Sequence, residues 1–184
     1  MTTTHLYRYP CAAGLLLAAL TVFAHTSTVE AQEQFRADTW NKLSGSAGIR
    51  YGTDELNLGF GAHGGYTVEP GIYIGGLFDY FLGNDVFSAW MVLVEAGYDF
   101  GLAPGLVVRP VFDLGIVGVS VDLECPPGLE AFCDASSTSA TELEAGLGAH
   151  ILYNLDPITL GGELRFLFAE TSSFIVGVNV GVIL

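Results

Sequence analysis

The sequence predicts an all-β fold, an eight-stranded antiparallel up-and-down β-barrel, and three observations support this prediction. Apolar residues or glycines occupy every second position from Leu56 to Val68, which is the two-residue period of a strand. The same period recurs in eight segments that extend to Leu184. The connections between the segments are alternately short and long, as they are where neighbouring strands of a barrel run up and down.

The eight predicted strands follow one another with few residues between most of them. They cover residues 43–51, 56–68, 72–82, 89–101, 106–122, 140–155, 158–169 and 174–184. Short turns containing proline follow the second, fourth and sixth strands, at 69–71, 103–105 and 156–157. The other connections include all the longer ones: 52–55, 83–88, 123–139 and 170–173. Most strands reach the roughly 9–11 residues with which a tilted strand crosses a bilayer, and turns on one side with loops on the other are typical of transmembrane barrels.

The turns also predict the register of neighbouring strands. If Val68 pairs with Ile72, Gly61 lies opposite Asp79 and Gly59 lies opposite Phe81. Pairing of Leu102 with Leu106, and of Leu155 with Ile158, gives the further pairs Asp99–Arg109, Gly97–Val111, Leu93–Gly115, Leu152–Gly161, His150–Glu163, Gly148–Arg165 and Gly146–Leu167. Large residues repeatedly meet glycine, which suits an eight-stranded barrel because its interior is only just wide enough for side chains.

Pro110 is the residue that fits the predicted barrel least well. It lies within the fifth strand, where a closed barrel offers no free edge for a residue that lacks an N–H. We therefore expect a local bulge at Pro110. A shift of register at that bulge would change the face of residues before Phe112, including Arg109.

The distribution of charges and aromatic residues predicts that the apolar set faces lipid. Aromatic residues of this set lie mainly near strand ends, at Tyr51, Tyr80, Trp90, Phe168 and Phe174 on the loop side and at Tyr66, Tyr98, Phe100 and Tyr153 on the turn side. Two aromatic girdles around an aliphatic band are typical of a membrane-facing wall. A soluble barrel or sandwich is the alternative, with the apolar set as its core. The polar set is rich in glycine rather than in lysine and glutamate, which makes it a poor solvent face.

The start of the chain predicts export. Residues 11–24 form an apolar run after Arg8, and Val29 and Ala31 fit a small-residue cleavage rule. We therefore predict a signal peptide at 1–31, a periplasmic N-terminal segment at 32–42 and the barrel at 43–184. A buried amino-terminal helix is the alternative for the apolar run.

Composition limits the partners. The formal net charge is −14, so nucleic acid is a poor partner. Cys125 and Cys133 form an even pair in the longest loop, and an oxidising compartment favours a disulfide between them because a zinc site would need further ligands nearby.

With its signal peptide, eight strands and alternating connections, the chain resembles the small eight-stranded outer-membrane β-barrels, the OmpA transmembrane domain and OmpX family. The final strand has apolar residues at every second position from Phe174 to Leu184, and it resembles the carboxy-terminal signal that the outer-membrane assembly machinery reads. Leu184 departs from the terminal aromatic residue typical of the family. The resemblance implies a multi-pass location in the outer membrane of a Gram-negative cell envelope, with lipid and the assembly machinery as partners.

The inward register collects most of the charged residues. We predict an interior polar network of Arg50, Asp79, Glu95, Asp99, Arg109, Asp113, Glu144, His150, Glu163 and Arg165, with Glu142 also on the inward face. The network predicts a plugged barrel with a structural or surface-interaction role. A narrow porin-like channel is the first alternative.

A lipid-modifying enzyme is the second alternative. In it, Glu163 would orient His150 as a base, but no nucleophile is evident, so we predict no catalytic, cofactor-binding or metal-ligating residues and a protein that is not an enzyme. The loop at 123–139 has the room for a surface partner, with Glu124, Glu130 and Asp134 as its charges and Leu129 and Phe132 as its apolar residues.

Overall fold

The computed structural model describes residues 41–53, 56–84, 87–121, 138–168 and 172–184. Within these ranges the strands are β1 (Lys42–Gly52), β2 (Asn57–Val68), β3 (Ile72–Asn84), β4 (Phe87–Tyr98), β5 (Phe100–Ala103), β6 (Leu106–Val121), β7 (Thr138–Asn154), β8 (Ile158–Phe168) and β9 (Ser173–Ile183). The strands β4 and β5 form one barrel strand that is interrupted at Asp99. The structure therefore confirms eight barrel strands, with boundaries close to the predicted ones.

The sheet closes on itself. Each barrel strand pairs in antiparallel fashion with its neighbours in the chain, and β1 pairs with both β2 and β9. At this closing seam Ala47 lies opposite Val180. The closed antiparallel barrel confirms the predicted fold class.

The register agrees with two of the three predicted turns. Val68 pairs with Ile72, and Gly59 pairs with Phe81. The turn between β7 and β8 likewise places His150 opposite Glu163. At the middle turn the prediction was wrong by one residue, because an irregularity between Gly101 and Ala103 puts Ala103 opposite Leu106. Beyond this irregularity the predicted pairs Gly97–Val111 and Leu93–Gly115 are present.

The bulge predicted at Pro110 is absent. Pro110 pairs with Ala149 in an unbroken ladder between β6 and β7, so Arg109 keeps its inward direction. The interruption lies instead in the facing strand, where the pairing with β6 stops at Gly97–Val111 and resumes at Phe100–Val108. A gap in the neighbouring strand accommodates the missing Pro110 N–H, so no extra residue is needed.

The two faces of the wall differ as the alternation predicts. The exposed outer face is apolar on every barrel strand, with Ile49, Phe60, Ile74, Val94, Leu114, Leu147, Leu164 and Val180 among its residues. The inner face carries the buried charges and many glycines. A Cβ on Gly59 would lie 2.8 Å from the Phe81 ring, so glycine at that position provides the space that the ring fills. Within the described ranges, no helix has the length and apolar character needed to cross a membrane.

Candidate functional site: a buried ion-pair cluster

Eight buried ionisable side chains meet inside the barrel. This central cluster consists of Arg50, His63, Asp79, Glu95, Asp113, His150, Glu163 and Arg165. Its members come from β1, β2, β3, β4, β6, β7 and β8, because each occupies an inward position of its strand. From β9, Asn179 joins the cluster through its side-chain amide. Every barrel strand therefore contributes to one site.

Arg165 links four carboxylates and is only 1% exposed. Its Nη1 donates to Asp79 Oδ2 at 2.9 Å and its Nε donates to Asp113 Oδ2 at 3.0 Å. Its Nη2 lies 3.5 Å from Glu95 Oε1 and 4.0 Å from Glu163 Oε2. The planar guanidinium can serve several acceptors at once, which a lysine ammonium on a flexible stem does less well.

Arg50 is the second cation of the cluster. Its Nε lies 3.3 Å from Asp79 Oδ1 and forms an ion pair with Glu163 Oε1. Its Nη1 donates to Asn179 Oδ1 at 2.6 Å, and its Nη2 lies 2.5 Å from His63 Nε2. Arg50 and Arg165 thus share Asp79 and Glu163, so the two cations belong to one network.

Both histidines face Glu95. The distance from His63 Nδ1 to Glu95 Oε2 is 3.2 Å, and from His150 Nε2 to Glu95 Oε1 it is 3.3 Å. The two imidazole rings are nearly perpendicular, with centroids 5.2 Å apart. Tyr73 donates its hydroxyl hydrogen to Glu95 Oε2 at 3.4 Å. Although His150 and Glu163 are opposite each other in the ladder, Glu163 approaches His63 Nε2, at 2.9 Å.

A second ion pair closes the turn side of the barrel. Arg109 donates from Nε to Asp99 Oδ1 at 2.5 Å and from Nη2 to Asp99 Oδ2 at 2.9 Å, which is a bidentate geometry. Its guanidinium carbon lies 3.6 Å from the centroid of the Tyr73 ring. Thr67 also donates to Asp99, at 3.1 Å. The cavity beside this pair has a volume of about 20 Å³, which is room for about one water.

Apolar side chains fill the interior toward the loop side. This apolar layer consists of Leu56, Phe81, Ala89, Met91, Leu93, Leu167 and Ile175, and it contacts Leu77, which precedes Asp79 on β3. Along their strands, Phe81 follows Asp79 and Leu167 follows Arg165 in the direction of the loops. The apolar layer therefore separates most of the central cluster from the loop side.

No protein-family model and no curated protein matches the chain. Among solved structures it is similar to the N-terminal β-barrel domain of Pseudomonas aeruginosa OprF, with 18% identity over 79% of this chain and 98% of that one, and a TM-score of 0.58. It is also similar to Neisserial surface protein A, with 15% identity over 77% of this chain and 95% of that one, and a TM-score of 0.59. A third similar structure is Ail of Yersinia pestis, with 14% identity over 79% of this chain and 100% of that one, and a TM-score of 0.56.

The fold is that of the small outer-membrane β-barrels. Each of these three structures is covered almost entirely by this chain, so the likeness includes the whole barrel. The apolar outer wall agrees with the fold, because a wall of Leu, Ile, Val and Phe is stable against lipid and not against water. The chain therefore has the fold of bacterial outer-membrane proteins, which cross the membrane with their strands.

The structure places the predicted site residues as follows. Seven of the predicted residues lie in the central cluster: Arg50, Asp79, Glu95, Asp113, His150, Glu163 and Arg165. The ion pair on the turn side consists of Asp99 and Arg109. Glu144 is buried near the loop side, and its Oε2 has no hydrogen-bond partner among the described residues. Glu142 keeps the predicted inward register, two positions from Glu144 in the same unbroken ladder, but its side chain is exposed. Cys125 and Cys133 lie outside the described residues.

Four participants were missing from the predicted network: His63, Thr67, Tyr73 and Asn179. All four are polar residues in the inward register, so the alternation could have identified them. The predicted network contains the formally charged inward residues and His150, and none of the four missing residues carries a permanent charge. Inward direction is the better criterion for network membership, because buried hydrogen-bonding groups and buried charges both need polar partners when they are removed from water.

Proposed function

We propose that this protein is an outer-membrane barrel with a closed interior, which acts through its extracellular loops or as a structural part of the envelope. The observation that carries the proposal is that two successive layers of side chains fill the interior, first the apolar layer and then the central cluster. Ions would have to pass hydrophobic side chains that are fully buried and then separate buried ion pairs. Both steps are costly, because removal of one partner from a buried pair leaves an uncompensated charge.

A narrow channel is the rival function. The buried carboxylates outnumber the arginines, six (Asp79, Glu95, Asp99, Asp113, Glu144, Glu163) to three (Arg50, Arg109, Arg165), and such an interior would favour cations if it conducted. The turn-side cavity supports the closed form, because it is lined by the Arg109–Asp99 pair and has a volume of only about 20 Å³.

Planar-bilayer recordings of the purified protein test the closed interior. We expect no discrete current steps from the wild type. A matched pair of variants assigns any current to the lumen: Phe81→Ala removes a ring that is fully buried inside, and Phe60→Ala removes one that is 52% exposed on the outer wall. Wild-type steps whose amplitude changes in Phe81→Ala and not in Phe60→Ala would contradict the proposal.

We further propose that the protein is not an enzyme. Among the described residues, His63 contacts Arg50, Glu95 and Glu163, His150 contacts Glu95, and neither imidazole ring hydrogen-bonds a serine hydroxyl. A base without a nucleophile cannot perform the acyl chemistry that the alternative requires. Lipid analysis of membranes with the wild type and with His150→Gln tests this, and we expect identical lipid profiles.

For the surface role we propose that loop 123–139 binds cationic or neutral partners. The loop carries Glu124, Glu130 and Asp134 and no basic residue. The Ail structure with the heparin analogue sucrose octasulfate shows an anionic ligand on a barrel of this fold, but anions are unsuitable partners for an acidic loop. Binding of intact cells to cationic and to sulfated surfaces tests the proposal. A preference for the cationic surface should disappear in the Glu124→Gln/Glu130→Gln/Asp134→Asn variant.

Two smaller proposals accompany this one. A Cys125–Cys133 disulfide would constrain the loop, and alkylation of the unreduced protein followed by mass measurement should find both thiols blocked. The last strand would be the signal for the assembly machinery, so Leu184→Phe should increase the yield of assembled barrel in membranes.

A further inference from the structure

The central cluster contains more negative than positive charge. Asp79, Glu95, Asp113 and Glu163 supply four carboxylates, and Arg50 and Arg165 supply two cations. With neutral imidazoles, the cluster therefore has two negative charges in excess. The nearby Arg109–Asp99 pair is neutral by itself and does not change this balance. An excess of this size within a buried site requires a compensating positive charge.

The histidines and Glu95 are arranged as metal ligands. One donor atom from each of His63, Glu95 and His150 lies within 4.8 Å of the other two, and all three residues are buried. Three donors 4.8 Å apart would each lie about 2.8 Å from a common centre, which is about 0.7 Å longer than the usual Zn–N distance of about 2.1 Å. Binding of an ion therefore requires the three side chains to rotate toward that centre.

A second contact orients one of these ligands. Glu163 Oε2 lies 2.9 Å from His63 Nε2, so a proton on Nε2 is held by a carboxylate while the Nδ1 lone pair points toward Glu95. A carboxylate behind a ligating histidine is the usual outer partner in such sites. Arg50 Nη2 lies 2.5 Å from the same Nε2, a contact that suits the opposite tautomer. Occupation of the site therefore requires Arg50 Nη2 to turn away from His63.

We propose that His63, Glu95 and His150 bind a divalent transition-metal ion inside the barrel, with Zn²⁺ as the best match. Two imidazoles and one carboxylate are a ligand set suited to zinc, and they leave a fourth position for water. One divalent ion removes the whole charge excess of the central cluster. Binding at His63 Nδ1 moves the ring proton to Nε2, where Glu163 accepts its hydrogen bond, so no proton is lost from neutral histidines.

The metal content of protein without a histidine tag, extracted folded from outer membranes of cells grown with zinc, tests the proposal. We expect about one zinc per barrel by mass spectrometry of the metal. The His63→Gln and His150→Gln variants should each lose it, and Glu144→Gln, which removes a buried carboxylate outside the cluster, should retain it. In Glu163→Gln the zinc affinity, measured by competition with a chromogenic chelator, should fall about 10- to 100-fold because the outer partner is weakened.

A folding control keeps the test decisive. Each variant is first checked for the change in gel migration on heating that marks a folded barrel. If a variant does not fold, the wild-type protein is treated with a chelator instead. Zinc that leaves with the chelator, rebinds one-to-one and raises the urea midpoint supports the site. Wild-type protein that neither carries zinc nor binds added Zn²⁺ overturns the proposal, as does binding that persists unchanged in both histidine variants. In the first case, protons on the two histidines would supply the charge instead.

Discussion

Replacement of Arg165 by methionine should destabilise the barrel strongly. Methionine keeps much of the side-chain length but removes the cation that contacts Asp79 and Asp113 at 2.9 and 3.0 Å and Glu95 at 3.5 Å. Arg165 is almost fully buried, so water cannot replace these contacts. Loss of one partner from a buried ionic network costs about 3–5 kcal/mol. With an m value of about 2 kcal/mol/M, the urea midpoint should fall by roughly 2 M.

Equilibrium urea unfolding of the protein folded in lipid vesicles measures this loss, and two further variants test its cause. Arg165→Lys keeps the charge but not the planar fork, so its stability should lie between those of the wild type and Arg165→Met. The double variant Arg165→Met/Asp113→Leu removes one of the stranded carboxylates and should be more stable than Arg165→Met alone. A loss below about 1 kcal/mol in Arg165→Met would refute the reasoning that the network is structural.

Two other predictions concern the walls of the barrel. A Cβ on Gly61 would overlap Asp79 Oδ1, whereas one on Gly64 would have its nearest atom at 3.9 Å. Gly61→Ala should therefore cost about 1–3 kcal/mol and Gly64→Ala about zero, and equal urea midpoints would contradict this assignment of faces. Leu114→Arg places a charge at the middle of the lipid-facing band and should cost about 2–4 kcal/mol in vesicles. Leu143→Arg, at a residue that is 74% exposed beyond the end of β8, should cost far less, and the reverse order would refute the membrane orientation.

The sequence predicts the strands and their faces because local chemistry determines both. Proline-containing turns fix the register at Val68–Ile72 and at His150–Glu163, and a two-residue period then assigns every following side chain to one face. Where the local rule has two solutions, prediction fails. Pro110 needed relief from its missing N–H, and a bulge in its own strand or a gap in the neighbouring strand would serve equally.

Contacts across the lumen are beyond the reach of the same pattern. Alternation places His150 inside but does not say which side chain on a distant strand it meets, since that depends on strand tilt and on packing across the barrel. Its imidazole meets Glu95, which is 55 residues away in the chain, rather than its ladder neighbour Glu163. The three candidate metal ligands lie on β2, β4 and β7, so no local spacing reveals them.

The position of Arg50 couples electrostatics to the order of assembly. Arg50 lies on the first strand, and its partners Glu163 and Asn179 lie on β8 and β9, across the seam where the barrel closes. A chain with every hairpin formed and the seam still open would hold Glu163 without Arg50, which is one of its two cations. Closure therefore brings the last strand pairing and much of the charge compensation in a single step. An incompletely closed intermediate is penalised twice, by unpaired backbone and by unpaired carboxylates, which makes the final closure cooperative.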